Sequence, residues 1–280
     1  MNSGELIREL RKERKITQAQ LAEGIVHRTT LNSFENENST TSCEVLFQYL
    51  DKLNISLEEF EFLYRDRVID EKQSLSKKVT ESFHLKFDRQ LASSILKYYE
   101  ETKDFFYYAL YAEYVLNKSR TDASVLKSDE VDVIKQTIKG YLESITTWGR
   151  FELTLFTNCL FMFDDELIRF EFRESVQHMH MYLESSNYSK DLINFLKNGL
   201  NISYKRHCTE NVALFLSELK KVADNYSNSE AYLYVRIFDF LIRHDKGENT
   251  EKEKYEILFV LKSLNENGWI RYINKYYQEK

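Results

Sequence analysis

Ile16-Thr17-Gln18-Ala19-Gln20-Leu21-Ala22-Glu23-Gly24 is a short apolar-and-polar segment that stops at a glycine, and it lies between two other segments of helical pattern. Upstream, Glu5 to Arg14 reads as a helix. Downstream, Arg28 to Glu35 carries Leu31 and Phe34 as its apolar anchors, a spacing that puts both on one helical face. Thr17 and Gln20, Thr41 and Glu44, and Ser56 and Glu59 have the spacing of a capping box. There a hydroxyl accepts an early helical N–H while the later side chain answers the cap's own N–H. Three helix starts are thereby marked independently, and residues 5–63 predict five short helices with a helix-turn-helix among them.

That motif assigns chemistry by position. Its second helix crosses the DNA backbone, and its third enters the major groove with N-terminal residues at the base edges. Here the third helix begins at His27 or Arg28. With Leu31 and Phe34 facing inward, Arg28, Thr29, Asn32 and Ser33 are the candidate base readers. The Arg28 fork either bonds guanine O6 and N7 together or holds a phosphate. Thr30 either packs or touches sugar. Thr17 and Gln18 open the second helix, where free N–H groups and the positive dipole end suit a phosphate. Arg8, Arg14 and Lys15 are candidate phosphate clamps or, equally, solvated charges.

The chain has 280 residues, with no proline and seven glycines, so helix can propagate almost throughout and the fold class is all-α. The net charge of −6 does not announce a nucleic-acid partner. Residues 1–66 are acidic as well, with eight Lys/Arg against twelve Asp/Glu. Local basicity at Arg8, Arg11, Lys12, Arg14 and Lys15 still permits a small reader, with weak non-specific affinity. Cys43, Cys159 and Cys208 are far apart and odd in number, which fits a reducing, cytoplasmic setting. No apolar run has the length of a membrane span, and the N-terminus lacks a signal-peptide core. His178 and His180 point to different helix faces, so no metal is expected. No phosphate loop, nucleophile elbow or carboxylate constellation suggests an enzyme or a cofactor.

Residues 1–64 form the expected first domain, 65–75 a charged linker and 76–280 a second, larger domain. Helices are expected near 76–86, 88–101, 104–118, 128–146, 149–163 and 165–184. Others follow near 189–206, 209–226, 229–245, 250–266 and 269–278. Breaks fall at Asn117 to Asp122, Ser185 to Asn187, Ser227 to Ser229 and Asp245 to Asn249. The later pairs recur about every 40 residues, as in a tetratricopeptide-like array, without that repeat's consensus. Phe105, Phe106, Tyr107, Tyr108, Tyr111 and Tyr114 make one helix apolar on several sides, which implies core or subunit contact, or a ligand groove.

At this point the residues resemble a known family. Residues 5–63 look like the lambda-repressor-like (Cro/repressor, XRE-type) helix-turn-helix. The whole chain is similar to the Rgg/GadR/MutR regulators, on two further stretches. These are Leu53-Asn54-Ile55-Ser56-Leu57-Glu58-Glu59-Phe60 and Trp148-Gly149-Arg150-Phe151-Glu152-Leu153-x-Leu155-Phe156-x-Asn158. The resemblance implies a cytoplasmic homodimer that binds double-stranded promoter DNA and, in many members, a short imported signalling peptide in the helical-repeat domain. It implies a structural pair between Arg11 and Glu35. The family's glycine two residues after that glutamate is absent, leaving an asparagine of Asn36-Glu37-Asn38 to supply a left-handed turn.

A peptide site needs side chains that both donate to and accept from backbone amides, which nominates Asn158 and Asn198. Arg150 and Arg236 are candidates for a peptide carboxylate, and each of the four is alternatively an internal hydrogen-bonding residue. Cys43 is placed by the resemblance beside the expected interface of paired DNA-binding domains, as a free thiol or an intersubunit disulfide. The competing function is a helical-repeat adaptor whose N-terminal domain binds a protein partner, a view the acidic balance supports.

Overall fold

The structure, a computed structural model, describes residues 2–37, 39–65, 71–181 and 186–278. Among them every regular element is helical. The chain divides into two compact units, Met1–Leu110 and Tyr111–Lys280.

The first unit begins with five helices: α1 (Ser3–Glu13), α2 (Gln18–Ala22), α3 (Arg28–Asn36), α4 (Cys43–Leu53) and α5 (Leu57–Arg65). Caps set their starts. Thr17 accepts from the Gln20 N–H at 3.2 Å while Gln20 Oε1 accepts from the Thr17 N–H at 2.8 Å, the reciprocal box that the sequence predicts. Ser56 Oγ accepts from the Glu59 N–H at 3.0 Å. The fourth helix is capped one residue later than expected: Ser42, not Thr41, accepts from the Val45 N–H at 3.3 Å. An unanticipated box, Asn2 with Glu5 at 2.9 Å in both directions, starts α1 two residues before Glu5.

Leu6, Ile7, Leu10, Leu21, Leu31, Phe34, Tyr49, Leu50 and Leu53 close over one core. Each such buried side chain contributes about 1.5–3 kcal/mol relative to exposure. The pair implied by the resemblance is present: Arg11 Nε and Nη2 donate to the two Glu35 carboxylate oxygens at 2.6 and 2.7 Å, buried between α1 and α3. Those helices approach so closely that a Cβ on Gly4 would lie 1.9 Å from the Phe34 carbonyl oxygen. Asn36 ends α3 as a helical residue and Glu37 follows at φ −116°, so Asn36 does not supply a left-handed turn. Asn38 lies outside the described residues.

Three helices follow: α6 (Glu71–Ser82), α7 (Arg89–Thr102) and α8 (Phe105–Ser119). The helix expected at 76–86 therefore lies about one turn earlier and takes in the end of the expected linker. Tyr98 donates to Glu71 at 2.6 Å and Lys72 pairs with Asp104, so the early residues of α6 are anchored. In α8, Tyr107, Tyr108 and Tyr114 are buried, which matches the core reading of that aromatic run.

The second unit continues with α9 (Ser128–Ser144), α10 (Arg150–Cys159), α11 (Asp165–Met181) and α12 (Ser186–Lys205). It ends with α13 (Thr209–Tyr226), α14 (Ser229–Asp245), α15 (Glu251–Ser263) and α16 (Asn267–Gln278). The helix expected over 149–163 stops at Cys159 because Leu160–Met162 tighten into a 3₁₀ turn. Ser186 and Asn187, expected in a break, begin α12, and Ser185 lies outside the described residues.

The repeat that the sequence lacks as a consensus appears as polar rungs. Arg150 bonds Asp191, 41 residues on; Arg169 bonds Asn211, 42 on; Tyr204 bonds Asp245, 41 on; His180 bonds Glu218, 38 on. Beneath the rungs runs a chain of rings, Trp148, Phe156, Phe195, Phe215 and Phe172, with centroids 4.8–6.1 Å apart. α12 and α13 meet where Gly199 has no side chain: a Cβ there would lie 2.1 Å from the Phe215 ring.

Candidate functional site

The turn between α2 and α3 is possible because Gly24 adopts φ +74°, a left-handed value that costs glycine little. Lys52, on α4, donates to the carbonyls of Gln20 (3.1 Å) and Glu23, satisfying the end of α2. Nothing in the sequence marks Lys52 for this role, because its partners are about 30 residues away.

At the start of α3, Arg28 and Thr29 are exposed, while Asn32 and Ser33 are half-buried on the same helix. Among the described residues Arg28 has no hydrogen-bond or ion-pair partner. Thr29 Oγ1 is 2.8 Å from the Nδ1 of His27. Asn32 and Gln18 are tied to the interior. Gln18 Nε2 donates to Asn32 Oδ1 at 3.2 Å and to Glu35 Oε2 at 2.9 Å, and Asn36 donates to the same Asn32 oxygen at 3.0 Å. Gln18 is therefore a strut between α2 and α3, continuous with the buried Arg11–Glu35 pair. Asn32 keeps its Nδ2 donors for an acceptor outside.

The phosphate candidates differ among themselves. Thr17 spends its hydroxyl and its amide on the capping box, which leaves the backbone N–H groups of Gln18 and Ala19 at the mouth of α2. Arg14 donates to the Leu10 carbonyl at 3.2 Å and stays exposed. Lys15 is exposed and Arg8 half-buried. Cys43 is exposed at the first turn of α4, and Phe47, Leu57 and Phe62, on α4 and α5, are exposed too, Phe62 by 71%.

In the second unit, Asn158 and Asn198 are both exposed. The Arg150–Asp191 rung sets α10 against α12 with an offset of 41 residues, so Asn158 falls at the level of the turn that holds Asn198. Arg150 uses Nε at 2.6 Å and Nη2 at 3.4 Å on Asp191. The outward stripe of α12 continues through Lys190, Asn194, Lys197, Asn201 and Lys205. Asn194 and Asn201 share that stripe by their helical spacing to Asn198.

Arg236 is not brought to that stripe. It pairs with Glu256 on α15 at 2.9 Å, and Tyr234, two residues away and so on the other side of α14, bonds Trp269 on α16 at 3.2 Å. Among the described residues no three His, Cys, Asp or Glu side chains gather as a metal site.

One titratable residue stands out beside Asn158. Glu113 on α8 is half-buried. Burial pushes its carboxyl up to about 7, against the hydrogen bond from Asn158, which lowers it. Burial, with the Glu113 charge next, also raises the thiol of neighbouring Cys159. The sequence signal for Glu113 was there: it is the one charged residue in the run Phe105–Leu116.

A family model for the C-terminal domain of the HTH-type transcriptional regulator Rgg matches residues 90–275, and a helix-turn-helix model matches residues 7–60. The fold is similar to that of a putative transcriptional regulator from Listeria monocytogenes EGD-e, at 19% identity over 99% of this chain and 96% of that one, with a TM-score of 0.78. It is similar to the SHP pheromone receptor Rgg2 of Streptococcus dysgalactiae, at 17% identity over all of both chains, with a TM-score of 0.71. It is also similar to PrgX in complex with cCF10, at 16% identity over 99% and 91% of the two chains, with a TM-score of 0.74. With the Rgg C-terminal model spanning most of the sequence behind a helix-turn-helix, the chain belongs to the Rgg family of HTH-type transcriptional regulators.

Proposed function

We propose that the protein is a cytoplasmic, homodimeric regulator that reads promoter DNA through α3 and answers a short signalling peptide held against α10 and α12. The observation that carries the DNA half is the unpartnered Arg28 at the exposed start of α3, on a helix fixed from behind by Arg11, Glu35 and Gln18. The Arg28 side chain is ordered only on binding, but the helix that carries it is already fixed, and a bidentate fork on guanine discriminates by about 1–3 kcal/mol. Arg8, Arg14, Lys15 and the free N–H groups of α2 hold phosphates, which position the reader without reading sequence.

The peptide half rests on the asparagine stripe. Asn158 and Asn198 present amides that can pair with an extended backbone, and Arg150 adds a guanidinium at the edge of the stripe. Rgg2 is a pheromone receptor, PrgX is seen in complex with cCF10, and a further structure of similar fold is a bacterial peptide pheromone/receptor complex, which supports carrying that control over to this chain. Arg236, paired on the far side of α14, is left out of the site.

Dimerisation places two readers on half-sites about 34–36 Å apart or at multiples of that distance. The exposed Phe47, Leu57 and Phe62 supply apolar surface for the paired domains. Cys43 remains a thiol in reducing cytosol. Mild oxidation of the purified dimer is expected to cross-link it through Cys43; a non-reducing gel with monomer only would remove Cys43 from the interface. Selection of bound sequences from a random DNA pool tests the function as a whole. An enriched two-fold motif is the expected result, and the absence of any enrichment from a folded dimer overturns it.

A further inference from the structure

An asparagine amide accepts at one end and donates at the other, so its use on DNA depends on which end faces out. At Asn32 the neighbours settle that choice. Asn36 Nδ2 donates to the Asn32 backbone carbonyl at 3.0 Å, and a carbonyl only accepts, so this end of Asn36 is the nitrogen. The same nitrogen lies 3.0 Å from the Asn32 side chain, which answers with its oxygen. Gln18 repeats the argument from α2. Its Nε2 donates at 2.9 Å to the Glu35 carboxylate, whose two oxygens Arg11 already bridges, and the same nitrogen donates to Asn32 Oδ1 at 3.2 Å. Two donors, each fixed by an acceptor that cannot donate, therefore hold Oδ1 inward. Asn32 Nδ2 has no partner among the described residues and is not enclosed.

We infer that Asn32 is a donor-only specificity residue, positioned by Gln18 and Asn36, which selects guanine and cannot make the usual amide contact with adenine. That contact needs both amide ends at once: the nitrogen donates to adenine N7 while the oxygen accepts from N6. Here the oxygen is already filled by two donors, so an adenine would set its N6 amino group against the Asn32 amino group. Guanine shows two acceptors, N7 and O6, along the same edge, whereas cytosine shows only its N4 donor. Thymine O4 is a single acceptor beside a methyl group. Asn32 lies four residues after Arg28, one helical turn along the same face of α3, and the Arg28 fork also only donates. The reading edge of α3 thus offers donors at both positions, a match to two guanines in each half-site. The inference rests on the DNA reading above and adds the base that Asn32 takes.

The experiment is selection of bound sequences from a random DNA pool by the wild type, Asn32→Ala and the double variant Gln18→Ala/Asn36→Ala. The wild type is expected to require a second guanine, apart from the one that Arg28→Ala erases. Asn32→Ala should lose that preference alone, a change on the order of ten-fold. In the double variant the amide is free to turn, so adenine should become acceptable at that same position. A merely structural role would weaken all sequences together and would not admit adenine. A wild-type adenine at the position that Asn32→Ala erases overturns the inference. Uniform weakening in Asn32→Ala, which puts the amide on a phosphate, overturns it too. The wild-type and Asn32→Ala selections decide the matter, so a poorly folded double variant does not protect the proposal. Side-chain amide exchange in the ¹⁵N spectrum of the free protein separates this inference from the DNA reading. The expected pattern is free exchange at Asn32 and slowed exchange at Gln18. No motif from the folded wild type, with that pattern present, removes the DNA reading and the base preference with it. A motif with the reverse pattern overturns the inference alone.

Discussion

The reader helices and the repeat helices are both held by pairs of opposite charge, but in opposite ways. Between α1 and α3 the Arg11–Glu35 pair is buried, bidentate and extended by Gln18. Among the ion pairs of the second unit, Arg150–Asp191 and Arg236–Glu256 lie at the surface instead: the Arg150 and Arg236 side chains are 51% and 57% exposed. A buried pair cannot lose one member without stranding the other, whereas an exposed pair surrenders its partner to water at little cost. The difference teaches where function can be adjusted. The reader is a rigid platform, and the repeat domain has its stability in rings and close helix contact, so its surface side chains are free to serve a ligand.

The comparison breaks most readily at Glu35. Glu35→Ala leaves Arg11 buried without its carboxylate and releases Gln18. The expected loss is about 3–5 kcal/mol, read as early unfolding of residues 3–36 by hydrogen exchange under denaturant. A loss no greater than that of a surface pair would mean that the apolar core alone holds the platform. Next comes Gly199→Ala. With the Phe215 ring in the way, overpacking is expected to cost about 1–3 kcal/mol in chemical denaturation, despite alanine's better helix propensity. A neutral or stabilising result would mean that α12 and α13 have room to part. Smallest is Arg236→Ala, where removal of an exposed ion pair should cost about 0–1 kcal/mol and leave any peptide response unchanged. A lost response would return Arg236 to the ligand site.

How much of this was legible in the sequence follows the distance of the interactions. The Thr17–Gln20 box and the helix periods are local, so residue spacing revealed them. The cap of α4 slipped by one because Thr41 and Ser42 are adjacent hydroxyls with equal claims, and only the backbone at Ser42 decides between them. Gln18 looked like a phosphate ligand because its partners, Asn32 and Glu35, lie 14 and 17 residues on. Arg236 was grouped with Asn158 on residue chemistry alone, while its face of α14 is fixed by how α15 packs there. Glu113 was the opposite failure: a lone charge in an apolar helix was visible, and its partner 45 positions away was not.

The central claim is that α3 is a preorganised reader with Arg28 at a base edge. The measurement that tests it most directly is selection from a random DNA pool by the wild-type protein and Arg28→Ala side by side. The account predicts the same two-fold motif from both, with Arg28→Ala losing preference at one guanine in each half-site and about 1–3 kcal/mol of affinity for the best sequence. Uniform weakening across all sequences, with every base preference intact, would put Arg28 on a phosphate and contradict it.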